Sequence, residues 1–115
     1  LQFSIYSDWQ KMWVLAALTQ AASSDDGSVK SALTLLNDAN RHDALRAIAA
    51  IYVGRFGDHT RRKALNKIYP NVSTYIQSAI YFSSREWPKV ERQNAKANWG
   101  GHSDLHSLIT IAMKP

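Results

Sequence analysis

The sequence predicts an all-α protein: an α-solenoid of about three helix pairs plus a terminal helix, HEAT-like in character, with a compact helical bundle as the alternative. Three observations point there. Every segment between turn residues carries apolar positions at helical spacing. No run of alternating β-branched residues is bounded by hairpin turns. The helix starts recur near residues 8, 41, 72 and 103, a spacing of 31–33, with intervening helices starting near 28, 59 and 88. A two-helix unit at a fixed period is the mark of a solenoid, whose units bury apolar faces only against one another.

The elements justify themselves in order. Residues 8–21 set Trp9, Met12, Trp13 and Ala16 on one side and Val14, Leu15 and Leu18 on the other, so this helix should lie buried between neighbours. The turn from Ser23 to Ser28 offers several N-caps, Asp25 among them. A second helix, about 28–38, presents Val29, Ala32, Leu33 and Leu36. Asn40 and Asp43 have cap-like spacing before the third, about 41–56, with Ala44, Leu45, Ile48, Ile51 and Tyr52. Gly57 suits its stop and Asp58 the next cap. The fourth helix, about 59–68, ends before Pro70, since proline disfavours a helical residue ahead of it. Asn71 or Ser73 caps a fifth, about 72–86, and Pro88 opens a sixth that Gly100-Gly101 closes. Ser103 caps a short last helix with Leu105, Leu108, Ile109 and Ala112.

Composition narrows the function classes. At 115 residues and 45% hydrophobic, the chain is one domain able to bury a core. No apolar run approaches the roughly 18 residues of a membrane span. Asp8 and Lys11 interrupt any signal-peptide core. The lack of cysteine excludes a disulfide scaffold and fits a cytoplasmic protein. The start at Leu1 leads us to expect a piece of a longer protein. The net charge of +5 is uneven: residues 1–40 sum to −2 and residues 41–115 to +7. Such a local excess favours a polyanionic partner.

On the helix 59–68, Ala64, Leu65 and Ile68 point one way and Arg62, Lys63 and Lys67 should face solvent. On the helix 88–98, Val90 and Ala97 should point inward, leaving Arg92 and Lys96 outward, with Lys89 able to extend the set. Arg62 and Arg92 are 30 apart and Lys67 and Lys96 are 29 apart, so one repeat aligns them in a stripe suited to a phosphate backbone. Trp87, Trp99, Tyr69 and Tyr75 are near enough to offer stacking surfaces, although large rings at helical spacing are mostly packing. Arg55 and Arg61 project into apolar arcs, and Arg85 lies among Ser83, Ser84, Glu86 and Trp87. Partners for such arginines would be helix C-terminal carbonyls or Asp43, Asp58 and Glu86, which makes them staples between repeats before ligand contacts.

No catalytic site is expected. His102 and His106 have i,i+4 spacing, but no third ligand is diagnostic, and Asp104 falls on another face. There is no nucleophile elbow and no glycine-rich phosphate loop. Capping explains Asp25-Asp26. No cofactor or metal is implied.

Three stretches, SDWQKMWVLAAL (residues 7–18), ANRHDALRAIAAIYVGRFGDHTRRKAL (39–65) and YIQSAIYFSSREWPKVERQNAKANWGGHSDLHSLIT (75–110), together resemble the helical C-terminal region of bacterial reverse transcriptases of the retron-like or defence-associated kind. In such proteins a polymerase core precedes this region and uses metal-binding aspartates, one pair in a Tyr-x-Asp-Asp motif. That motif is absent here, because Asp25-Asp26 follows Ser23-Ser24. The resemblance therefore implies an accessory domain that holds RNA or the template–product duplex, or packs on the core or a partner. The expectation is contact with RNA or single-stranded DNA through Arg62, Lys63, Lys67, Lys89, Arg92 and Lys96. The rival is a protein-interaction scaffold, since Trp9, Met12 and Trp13 would need covering and no polar capping repeat precedes them.

Overall fold

A computed structural model describes residues 7–98, the side chains of 96–98 excepted. Six α-helices run α1 Asp8–Gln20, α2 Asp26–Asn37, α3 Asp43–Phe56, α4 His59–Ile68, α5 Thr74–Ser83 and α6 Lys89–Asn98. Short 3-10 turns follow α4 (Tyr69–Asn71) and α5 (Ser84–Glu86), and no strand occurs among the described residues. Trp99, the Gly100-Gly101 stop, the helix expected after Ser103 and the His102/His106 pair lie outside them.

Local chemistry sets the helix starts. Ser7 and Gln10 form a reciprocal capping box on α1. Asp25 accepts from the Ser28 amide and hydroxyl at 2.8 Å each, which is the capping role expected of it. Asp58 caps α4 and Ser73 caps α5. The cap of α3 is His42, whose Nδ1 accepts from the Ala44 amide, and not Asn40 or Asp43. Two stops differ in kind from the expectation. Tyr69 stays helical (φ −47°, ψ −49°) although Pro70 follows, so the chain tightens into a 3-10 turn. The fifth helix likewise gives way to a 3-10 turn at Ser84, three residues early. Gly57 is extended (φ −72°, ψ 154°); its reason is space, as a Cβ there would lie 2.5 Å from the Val53 carbonyl oxygen. At the end of α1, Ala22 takes the left-handed conformation (φ 53°), with Ala22 and Ser23 amides donating back to Thr19 and Leu18 in a Schellman motif.

The centre of the molecule is α3, which packs against α1, α2, α4 and α5. Its Leu45, Ala49, Ala50, Tyr52 and Val53 are buried with Leu15 of α1, Ala32 and Leu36 of α2, Leu65 of α4 and Ile76 and Ile80 of α5. Small residues on α3 allow close approach: a Cβ on Gly54 would lie 2.1 Å from Ser83 Oγ. Polar links between helix pairs keep the sequence period. Arg41 to Asp8 spans 33 residues, Tyr52 to the Ser23 carbonyl 29, Arg55 to the Thr19 carbonyl 36 and Trp87 to the Gly54 carbonyl 33. Each joins one helix pair to the next, which is the stacking that a repeat near 32 residues predicts. With so few pairs the stack measures 39 × 28 × 25 Å, so short solenoid and bundle describe the same object.

A second repeat device was not foreseen. The fourth residue of each odd helix is polar and buried: Lys11, Arg46 and Gln77. Arg46 Nε donates to the Leu36 carbonyl at 2.9 Å, and Gln77 Nε2 donates to the Tyr69 carbonyl at 3.0 Å. Each satisfies a carbonyl at the end of the preceding helix that the helix itself leaves unpaired. Lys11, 5% exposed, lies 3.8 Å from Asp8 in the same position of α1.

The expected burial of α1 on both sides is corrected. Leu15 is fully buried, but Trp9 and Trp13 are 63% and 61% exposed and meet each other edge to face at 5.9 Å. Met12 on the same side is packed against the core, so the exposure of this face is confined to the two tryptophans.

Candidate nucleic-acid interface

Helix α4 is amphipathic, with Leu65 as its buried anchor. That anchor fixes the rotation of the helix and sends the ridge His59, Lys63, Lys67 to the outside at i,i+4 spacing. Helix α6 is anchored by Ala95, fully buried. Glu91 and Asn94 of α6 face the α4 ridge across a cleft of about 610 Å³, whose α4 wall also holds Asn66 and, just beyond the helix, Pro70. Lys63 and Lys67 are exposed and have no ion-pair partner among the described residues.

Glu91, which lines the cleft, is held in an ion pair. Arg62 Nη2 donates to Glu91 Oε1 at 2.8 Å, its Nε donates to Glu91 Oε2, and its Nη1 donates to the Gly57 carbonyl at 2.8 Å. His59 Nδ1 lies 2.9 Å from Glu91 Oε1. Three donors on one carboxylate hold it in the charged form: the Arg62 hydrogen bonds foremost, then the one from His59, bring the Glu91 pKa down to about 2, against the opposing effect of partial burial. The same pairing raises Arg62. Arg62 therefore does not face solvent as expected. Its side chain is 17% exposed, and its charge is spent on α6. The repeat alignment matched Arg62 with Arg92 at 30 residues, but the residue that meets it is Glu91, at 29. One residue is about 100° of helix, enough to exchange a like charge for an opposite one.

The other expected contacts divide. Lys63 and Lys67 share the cleft. Lys89 is exposed at the start of α6. Arg92 is turned to the Arg85 carbonyl, 3.1 Å away, on the side of α6 where Arg85 stacks over the Phe82 ring at 4.1 Å. The five whose side chains are described thus do not form one stripe: Lys63 and Lys67 line the cleft, while Arg62, Lys89 and Arg92 do not. The backbone of Lys96 is in α6, and its side chain lies outside the described residues. Val90, expected inward, is 68% exposed, because α6 is rotated to bury Ala95 and to turn Glu91 toward Arg62. Of the aromatic candidates, Trp87 and Tyr69 are buried in the core and Tyr75 is exposed.

The staple reading fits Arg55 and Arg61 but not Arg85, which is exposed and lies over the Phe82 ring of its own segment. Arg55 reaches the Thr19 carbonyl and Glu86, and Arg61 reaches Asp26 of the previous pair at 2.9 Å and Asp58 at 3.3 Å. Arg55 is nonetheless surface-lying, partly over the Phe56 ring, and not inside an apolar arc.

Asn66 was missed. The residue lines the cleft, while its Oδ1 is buried and has no hydrogen-bond partner among the described residues. An asparagine on a helix reads as a solvated polar residue, and nothing in periodicity marks an orphaned acceptor. Among the described residues no cluster of metal-ligating side chains occurs, and no helix is long and apolar enough to cross a membrane.

Fold and cleft together define an all-α protein of stacked helix pairs with a groove between its last two described pairs that Lys63, Lys67 and Glu91 line. Comparisons with protein-family models, with curated proteins and with solved structures find no match to this chain.

Proposed function

We propose that the chain is an accessory nucleic-acid-binding helical domain, holding RNA or single-stranded DNA through the cleft between α4 and α6. The observation that supports this most directly is Lys63 and Lys67, exposed one turn apart on a cleft wall and free of acidic partners among the described residues. Two ammonium groups at that spacing meet successive phosphates without choosing a sequence. Lys89 and Arg92 add charge farther along α6, and Arg62 acts as a positioning residue that holds α6 against α4. The three stretches that resemble the C-terminal region of retron-like reverse transcriptases favour a place beside an RNA-directed DNA polymerase core. A core with a Tyr-x-Asp-Asp motif encoded in frame ahead of Leu1 would support that placement, and a different upstream domain would remove it.

Fluorescence anisotropy with labelled RNA and single-stranded DNA tests the binding. Affinity should fall steeply with salt, and Lys63→Gln with Lys67→Gln should flatten the slope of log K against log salt by about 1.4, at ~0.7 per phosphate on a single strand. Lys30→Gln on α2, whose lysine is paired with Asp26, should leave binding unchanged. Absence of binding at low salt, or an unchanged slope in the double variant, would refute the reading.

A protein-interaction scaffold is the second reading. It is favoured by the exposed Trp9–Trp13 pair and by an adjoining cavity of about 250 Å³ lined by Trp9, Met12 and Leu45. Under that reading nuclease treatment would leave pull-down partners in place and Trp9→Ala would release them.

A further inference from the structure

We propose that His59 is a third phosphate contact in the cleft, made through Nε2 and only when the imidazole carries a proton, so that the hold on a strand tightens as pH falls. This rests on the nucleic-acid reading above and adds how that site is regulated. His59, Lys63 and Lys67 all line the cleft on one ridge of α4. Four residues of helix rise about 6 Å, so the ridge offers three polar tips, one turn apart, along the path of a backbone. The imidazole is open to a ligand, with 63% of its side chain exposed. Its Nδ1 is taken by Glu91 Oε1 at 2.9 Å, and Nε2 has no partner among the described residues.

Glu91 decides what Nε2 presents. Arg62 binds both Glu91 oxygens and keeps the carboxylate ionised, and an ionised carboxylate only accepts. The proton of a neutral His59 is therefore on Nδ1, and Nε2 carries a lone pair. A phosphate oxygen, itself an acceptor, gains nothing there. Protonation adds an N–H at Nε2 without disturbing the Glu91 bond, and the imidazolium donates to phosphate in a charge-assisted hydrogen bond. That charge is a net gain, because Arg62 already offsets the charge of Glu91. Of the other charged groups nearby, Lys63 follows one turn on and, with the amide end of α4, opposes the protonation, whereas Asp58 at the cap is paired with Arg61. No charged side chain of α3 pairs with His59 among the described residues. A phosphate held by Lys63 offsets the opposition, so strand and proton favour each other's binding.

The test is anisotropy of the full chain with labelled oligouridine, whose bases take up no proton between about pH 5 and about pH 8, the range in which an imidazole changes charge. Going from the top of that range to the bottom should tighten binding roughly three- to tenfold at low salt, the worth of one hydrogen bond. The slope of log K against log salt should steepen by about 0.7, one further phosphate on a single strand. His59→Gln should show the shallower slope at both ends of the range. His59→Lys, a cation throughout, should show the steeper slope at both. Affinity and slope that do not change with pH in the unaltered chain overturn the proposal. So does a pH dependence that survives His59→Gln, or a shallow slope in His59→Lys at about pH 8. If His59→Gln loses its helical circular dichroism, the unaltered chain and His59→Lys decide between them. Oligouridine that binds equally at every pH sinks only this inference, whereas oligouridine that binds at none sinks the nucleic-acid reading beneath it.

Discussion

Glu91 holds the cleft together, and its chemistry makes the pairing measurable. Its pKa lies near 2 in the folded protein against an ordinary value of 4.5. A carboxyl group with a depressed folded pKa stabilises the fold fully above its unfolded pKa and loses that contribution as pH falls through the folded one. The difference in melting temperature between the unaltered chain and Glu91→Gln should therefore be constant above about pH 5 and shrink steadily toward pH 2. At neutral pH we expect a loss of about 1 kcal/mol, because the pair is only partly shielded from water. A gap that stays constant down to pH 2 in thermal melts would rule the pairing out. Residues of this kind are where the sequence was hardest to read. The repeat period brought α4 opposite α6 correctly, but a helical wheel without tertiary anchors leaves rotation uncertain by a residue. That one residue separated Arg62 as a phosphate contact from Arg62 as the partner of Glu91, and put Val90 outside where it was expected within. Asn66 carried no signal at all, since the burial of one amide oxygen depends on the neighbouring helices and not on spacing.

Helices themselves were far more legible than their side chains. Asp25, Asp58 and Ser73 cap where polar residues precede apolar periodicity, because a cap is local chemistry that needs no tertiary information. The two 3-10 turns were not foreseen, since a turn that tightens keeps the same residues and changes only the hydrogen-bond register. The contact between α3 and α5 is set by Gly54, whose added Cβ would lie 2.1 Å from Ser83 Oγ and 2.5 Å from Ser83 Cβ. Gly54→Ala gains about 1 kcal/mol of helix propensity, yet it must push α5 away. That movement also strains the Trp87 indole bond to the Gly54 carbonyl. We expect a net loss of roughly 2 kcal/mol in urea unfolding, and recovery of much of it when Ser83→Gly is added. Equal losses in the single and double variants would show that the clash is relieved elsewhere.

Across the whole chain, stability should be graded outward from α3. That helix touches four others and contributes Ala49, Ala50, Tyr52 and Val53 to the buried core, whereas α6 is fastened by Ala95 and the Arg62–Glu91 pair. Segments with few buried contacts open before the global transition. Amide hydrogen exchange should accordingly be slowest in α3, near the rate set by global unfolding, and faster by orders of magnitude in α6. Glu91→Gln should then speed exchange in α6 and at the exposed face of α4 while leaving the middle of α3 unchanged relative to global stability. The cleft sits at this less stable end, so a strand bound there joins α4 to α6 and should slow α6 exchange in proportion to its occupancy. If α6 proved as protected as α3 without nucleic acid, the two helices would form one rigid unit. Binding would then leave exchange in α6 unaltered, and the cleft would be a fixed groove instead of one closed by its ligand.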